Sequence, residues 1–169
     1  MNGIINQSAN FVTFSNLVIG VLAILVAVNG RYELSAVLIL FSCLTDRLDG
    51  YLARKLGIES ELGKYLDSNA DLISFGVAPA ILLYYSVLAN SGWFGVCVVV
   101  IYVIAGAYRL ARYNVLKFDG YYVGVPITMA GFVLPICILL KGIFPVGAFM
   151  ALALILSFLM VSTIKIKKV

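Results

Sequence analysis

The feature that constrains this chain most is a succession of six apolar runs, at approximately 11–29, 33–56, 64–88, 93–114, 122–140 and 143–162. A helix needs about 20 mostly apolar residues to cross the hydrocarbon core of a bilayer, and each run has about that length. Composition agrees. Hydrophobic residues make up 63% of the chain and the mean hydropathy is +1.07, whereas soluble domains are roughly 45–50% apolar. The expectation is an all-α integral membrane protein, one domain over residues 1–169, with six transmembrane helices and a short polar interfacial segment at 1–10. The runs are punctuated by Asn29-Gly30-Arg31, Ala89-Asn90-Ser91-Gly92, Lys117-Phe118-Asp119-Gly120 and Lys141-Gly142 with Pro145, all residue types that end helices and turn chains. Trp93 is placed as an interface anchor.

The net charge is +4 and the pI about 9.0. In a soluble chain this would raise the question of nucleic acid. Here the basic residues fall in short loops and helix ends, so membrane lipids are the expected partners and nucleic acid is not. Numbering the runs in order, one side of the membrane receives Arg47, Arg54, Lys55, Lys64, Arg109, Arg112, Lys117, Lys165, Lys167 and Lys168, and the other only Arg31 and Lys141. The excess of cations on cytoplasmic loops then predicts a multi-pass cell-membrane protein with both termini and the 2–3 and 4–5 loops in the cytoplasm. The N-terminus has neither a basic leader nor a cleavage site, so no removable signal peptide is expected.

The chain contains no histidine. This excludes Ser-His-Asp triads, His-ligated zinc and imidazole acid–base chemistry, and leaves Asp, Glu, Lys, Tyr and Cys for proton transfer. Cys43, Cys97 and Cys137 lie singly within apolar runs without CxxC spacing, which indicates neither a zinc site nor a disulfide framework.

Four of the eight acidic residues sit where the second run closes and the third opens: Asp46, Asp49, Asp67 and Asp71. An ionised carboxylate at membrane depth is costly unless paired or metal-bound, and reads as functional. Asp46 and Asp49 are spaced i, i+3 and Asp67 and Asp71 i, i+4, so each pair shares a helix face. The short connection near 57–62 makes the two helices antiparallel neighbours. Four carboxylates then converge between helices 2 and 3 at the cytoplasmic side, and their repulsion calls for cations. All-oxygen ligation favours Mg2+, Mn2+ or Ca2+ over zinc. A pair of metal ions held this way suits phosphoryl transfer. Gly50, Ala53 and Gly63 accompany the carboxylates and would let a ligand approach the backbone, although small residues also serve simple helix packing in membranes. Arg54 is placed to meet a phosphate, or else snorkels to the interface.

The stretch from Asp46 to Asp71 fits D-x-x-D-G-x-x-A-R-x8-G-x-x-x-D-x-x-x-D, with Asp46, Asp49, Gly50, Ala53, Arg54, Gly63, Asp67 and Asp71 all matching. This resembles the signature of the CDP-alcohol phosphotransferases, a family that is also six-span, and the likeness covers essentially the whole chain. The resemblance implies that Asp46, Asp49, Asp67 and Asp71 hold two divalent ions and that Asp71 is the general base. It implies that Arg54 meets the pyrophosphate of a CDP-linked lipid, and that Gly50, Ala53 and Gly63, with Asp49, line the nucleotide pocket. Thr13 and Asn16 resemble a pair that lies near the nucleotide in related enzymes, although both residue types are also common helix caps. Homodimerisation is usual in the family and is expected here.

Two further stretches, Arg109-Leu110-Ala111-Arg112-Tyr113-Asn114 and Tyr121-Tyr122-Val123-Gly124-Val125-Pro126, resemble the phosphatidylserine synthase branch of that family, as does Leu72–Ala80 after Asp71. The implied reaction is transfer of the phosphatidyl group of CDP-diacylglycerol to L-serine with release of CMP. Arg109 and Arg112 would receive the serine carboxylate, unless they serve only as topology determinants. The same chemistry on glycerol 3-phosphate or inositol phosphate is the alternative, and would call for a denser basic cluster. A small cation transporter would also place carboxylates in a membrane but has no use for the accompanying Gly, Ala and Arg.

Overall fold

The computed structural model describes the backbone over residues 2–56, 61–115 and 121–167, and side chains over 13–47, 62–115 and 123–164. Among these residues the chain forms a bundle of long helices closed at one end by a small β-ribbon. Helix α1 is Asn2–Val28 and α2 is Tyr32–Leu56. Between them Gly30, at φ 77°, takes the left-handed conformation that ends a helix without a Cβ penalty. The Arg31 N–H reaches back to the Val26 carbonyl at 3.1 Å. The tight reversal lays α2 against α1, where the Ser35 hydroxyl donates to the Ala23 carbonyl at 2.8 Å.

Helical structure then runs from Leu62 to Val115, but not as one rod. A 3-10 turn at Ala89–Ser91 and Gly92, at φ 55°, fold it into a hairpin. We name the arms α3 (residues 61–88) and α4 (Gly92–Val115). Contacts across the hairpin pair Phe75 with Tyr102 and Ser68 with Asn114, as antiparallel arms require. Each arm is roughly 36–41 Å long at 1.5 Å per residue, enough to cross a bilayer.

Helix α3 is irregular for a reason legible in its sequence. It widens into π-helical turns at Leu72–Val77 and Tyr84–Leu88. Pro79 has no N–H to offer the Phe75 carbonyl four residues earlier. That carbonyl instead accepts the Tyr102 hydroxyl of α4 at 3.2 Å, so the group freed by proline becomes an interhelical tie. A Cβ on Gly131 would stand 2.8 Å from the Phe75 Cα, and one on Gly20 2.9 Å from the Ser74 Cα. Glycine at both places lets neighbouring helices close directly on the wide turn.

The last helices are α5 (Ile127–Leu139) and α6 (Val146–Val161). The core between helices is built from Ala23, Ile39, Phe75, Tyr102, Leu134 and Phe149, all at most 2% exposed. Outward faces are apolar as well. Val18, Val21 and Leu25 on α1, Leu34, Val37 and Phe41 on α2, and Ile101 and Ile104 on α4 are all exposed. Rows of large apolar side chains along several helices exceed the patches a soluble monomer shows, and match a surface solvated by lipid. Trp93 and Phe94, each 81% exposed, stand at the hairpin bend, where aromatic residues anchor membrane interfaces.

The architecture is all-helical, as expected, with one small addition: β1 (Tyr121–Val123) pairs antiparallel with β2 (Lys165–Lys167), Tyr122 opposite Ile166. Two sequence expectations need correction. Residues 2–10 are not a separate interfacial segment: α1 runs unbroken from Asn2. Because of β1, the fifth apolar run does not become helical at 122. Gly124 turns the chain at φ 76°, Pro126 is the N-cap of α5 with extended backbone, and the helix starts at Ile127. Helices α5 and α6 have 13 and 16 residues, shorter than the runs that contain them.

Candidate active site

Helices α2 and α3 bring Asp46, Asp67 and Asp71 together, with one carboxylate oxygen of each within 4.8 Å of the others. The i, i+4 spacing of Asp67 and Asp71 places both on the side of α3 that faces α2. Asp71 is 8% exposed, Asp46 half-buried and Asp67 exposed, so the cluster runs from the interior to the mouth of the bundle. Oδ1 of Asp71 is buried and has no hydrogen-bond partner among the described residues. A buried acceptor left unmade costs about 1–3 kcal/mol, more when charged. Three converging carboxylates with one orphaned oxygen form a hard, oxygen-only donor set that fits Mg2+, Mn2+ or Ca2+. Asp49 is one helical turn beyond Asp46 in α2, but its side chain, and those of Gly50, Ala53 and Arg54, lie outside the described residues. Gly63 is half-buried on α3, one turn before Asp67.

Helix α4 contributes the opposite charge. Arg109 is 8% exposed, and its positive charge acts on Asp71. Its guanidinium lies 5.6 Å from the centroid of the Tyr113 ring, and the Lys64 ammonium of α3 lies 5.8 Å from the same ring. Two cations thus flank one aromatic ring beside the carboxylates, an arrangement that cation–π attraction supports.

Arg112, one turn further on, does something different. Its guanidinium donates to the carbonyls of Val161 (2.8 Å), Val123 (2.9 Å), Ser162 (3.0 Å) and Met160 (3.1 Å). These include the end of α6, where carbonyls lack helical donors. A Cβ on Gly124 would lie 2.8 Å from the Arg112 Nη2 and 2.6 Å from the Met160 carbonyl oxygen. By spacing alone Arg109 and Arg112 are an i, i+3 pair, suited to one anion or to setting the topology. The structure separates them, because Arg112 is engaged in fastening α4, α6 and β1. Asn114 is also a structural tie: its amide donates to the Ser68 hydroxyl at 3.0 Å.

Thr13 and Asn16 lie well inside α1, so neither caps it. Thr13 is half-buried. Asn16 is 3% exposed. Its Oδ1 accepts the Ser42 hydroxyl of α2, and its main-chain carbonyl accepts the Ser74 hydroxyl of α3 at 3.0 Å. Sequence reasoning passed over Ser42 and Ser74. Their spacing was the available signal, since Ser42 precedes Asp46 by four residues and Ser74 follows Asp71 by three, each on its aspartate's face. Charge alone marks Lys64 only as a topology determinant, and spacing marks Tyr113 only as part of a motif. A groove of about 340 Å³ between α3 and α4, lined by Tyr65, Ser68, Leu72, Ala111 and Asn114 among others, opens on the other side of α3 from the aspartates.

The family pattern for CDP-alcohol phosphatidyltransferases matches residues 6–163. A CDP-diacylglycerol–serine O-phosphatidyltransferase of Helicobacter pylori is 36% identical over 165 residues, covering 92% of this chain and 70% of its own. One of Methanocaldococcus jannaschii is 38% identical over 160 residues, covering 95% and 73%. An archaetidylserine synthase of Methanothermobacter thermautotrophicus is 42% identical over 114 residues, covering 66% and 48%. With a family pattern spanning nearly the whole chain and aspartates from its two motif helices drawn together, the protein belongs to the CDP-alcohol phosphatidyltransferase family.

Proposed function

We propose that this protein transfers the phosphatidyl group of CDP-diacylglycerol to the hydroxyl of L-serine, forming phosphatidylserine and releasing CMP. The observation that carries the reading is the convergence of Asp46, Asp67 and Asp71 with the buried Arg109 beside them. The activity named for the relatives from Helicobacter pylori and Methanocaldococcus jannaschii supplies the substrates.

Asp46, Asp67 and Asp71, with Asp49, would hold divalent metal, Mg2+ or Mn2+, as two ions. Bound metal would neutralise charge on the diphosphate. Asp71 accepts the proton of the serine hydroxyl. The serine oxygen forms a bond to the lipid-side phosphorus, the phosphorus–oxygen bond to CMP breaks, and CMP leaves with the bonding electrons. The unpartnered Oδ1 of Asp71 is suited to receiving a ligand or a proton. Arg109, with Lys64 near it across Tyr113, receives the serine carboxylate, a charge-assisted pairing that arginine makes well. On the nucleotide side Arg54 meets the pyrophosphate, Asp49, Gly50, Ala53 and Gly63 line the pocket, and Thr13 and Asn16 of α1 lie near the nucleotide.

The reading includes six membrane crossings, with the carboxylate end and both termini on the cytoplasmic side. The ten-to-two distribution of cations supports it. A homodimer completes the proposal. The test is an acceptor panel: purified protein with CDP-diacylglycerol, Mg2+ or Mn2+, and serine, glycerol 3-phosphate or inositol phosphate. Serine-dependent CMP release is expected. Preference for glycerol 3-phosphate or inositol phosphate would overturn serine as acceptor. Absence of CMP release with every acceptor, together with metal flux into vesicles, would favour a cation transporter.

A further inference from the structure

The layer of the bundle just inside the carboxylates is polar, although the helices around it are apolar. Asn16 is 3% exposed, and Ser42 and Ser74 are fully buried. Each comes from a different helix and together they form one hydrogen-bonded chain. Ser42 of α2 donates to the Asn16 side chain, and Ser74 of α3 donates to the Asn16 main-chain oxygen. Ser42 stands one turn from Asp46 and Ser74 one turn from Asp71. Helix α1 contributes none of the four motif aspartates, yet it links the two helices that do. Gly20, one turn beyond Asn16, lets α1 press directly on Ser74. The wide turn Leu72–Val77 begins immediately after Asp71, so the backbone held at Ser74 is the backbone that sets where Asp71 points.

We propose that Asn16, Ser42 and Ser74 are positioning residues, a polar bracket that fixes the distance between the Asp46 and Asp71 carboxylates and thereby the metal affinity of the site. This rests on the reading of the aspartates as metal ligands. Apolar packing tolerates sliding, because dispersion contacts are numerous and weakly directional. A hydrogen bond between buried groups has a short, defined length and costs free energy when broken. Carboxylates that must meet one cation from two helices need the second kind of constraint.

Ser35 provides an internal control. It is also a fully buried α2 serine that donates to α1, at the Ala23 carbonyl, but it lies about three turns from Asp46. The experiment is Mn2+ binding to the detergent-solubilised full chain, read from the electron paramagnetic resonance of unbound Mn2+, with thermal unfolding measured alongside. Ser42→Ala and Ser74→Ala are each expected to weaken Mn2+ binding by about tenfold, the scale seen when residues that orient metal ligands are removed. Gly20→Ala, which keeps all three polar groups but separates the helices, should weaken it too. Ser42→Thr, which retains the hydroxyl, should recover binding. Ser35→Ala should bind like wild type even if it melts lower. If Ser42→Ala and Ser35→Ala lower the melting temperature alike and leave Mn2+ binding unchanged, the serines are helix glue and the bracket is overturned. Wild-type protein that binds no Mn2+ would instead overturn the aspartates as metal ligands, and the bracket with them.

Discussion

Arg109 and Asp71 on one side, and Arg112 with the end of α6 on the other, are two charged regions separated by a single turn of α4, the first buried and the second half-buried. In the first, a carboxylate oxygen is buried with no partner among the described residues and a buried guanidinium stands nearby. In the second, one guanidinium satisfies four carbonyls from β1 and the end of α6. Both are costly arrangements in an apolar bundle. The second repays its cost within the fold, by capping a helix and fastening the β-ribbon. In the first, the Asp71 Oδ1 is left without a partner among the described residues, and that deficit is what a ligand would fill. Sequence spacing makes the two arginines a pair, whereas in the fold Arg112 is tied to four carbonyls of β1 and the end of α6 and the charge of Arg109 acts on Asp71.

Substitutions can break this contrast, and the largest effect is expected at Asp71. Asp71→Asn should lower CMP release by about 10²–10⁴-fold, the usual scale for losing a general base, with no fall in melting temperature. Near wild-type turnover in that variant would remove Asp71 from the base role. Arg109→Leu should come next, raising KM for serine by roughly 10–100-fold, equivalent to the 1.5–3 kcal/mol of a hydrogen bond to a charged group. The KM for CDP-diacylglycerol should be unchanged. An equal rise in both constants would make Arg109 a general structural element.

Arg112→Ala should behave in the opposite way. Leaving the α6 carbonyls without their donor is expected to cost about 1–3 kcal/mol, seen as a lower melting temperature, while serine KM for the folded enzyme stays put. If Arg112→Ala instead raised serine KM at constant stability, the two arginines would after all act together. Tyr102→Phe should be the smallest change. It removes the donor to the Phe75 carbonyl at the cost of about 0.6 kcal/mol, typical of hydrogen bonds between membrane helices, and is read by thermal unfolding.

The helices were largely legible in the sequence because their cause is local. Runs of apolar residues, broken at Gly30 and Gly92, delimit α2 to α4 and the end of α1 within a few residues of where they lie, whereas α1 begins well before its apolar run. The ribbon was not legible. Tyr121–Val123 and Lys165–Lys167 are more than forty residues apart, and their pairing depends on α5 and α6 returning the chain to one place. The convergence of Asp46 with Asp67 and Asp71 could be anticipated, since two helical periods and a short connection suffice to place them. The tie of Ser42 and Ser74 to Asn16 and the approach of Lys64 to Tyr113 could not, because these partners sit on different helices and no local period links α1 and α4 to α2 and α3.

By itself, the sequence determined that this chain is helical and apolar, that its carboxylates share helix faces, and which family its motif resembles. These follow from interactions between residues within a turn or two of each other, or from the chemistry of single side chains. Tertiary structure alone decided which of two neighbouring arginines ties α4 to the end of α6 and which stands beside Asp71, which carbonyl the Pro79 gap offers to Tyr102, and which serines meet Asn16 across the helix interfaces. Each of those depends on the partner a buried polar group meets across a helix interface, and that partner is fixed only when the bundle closes.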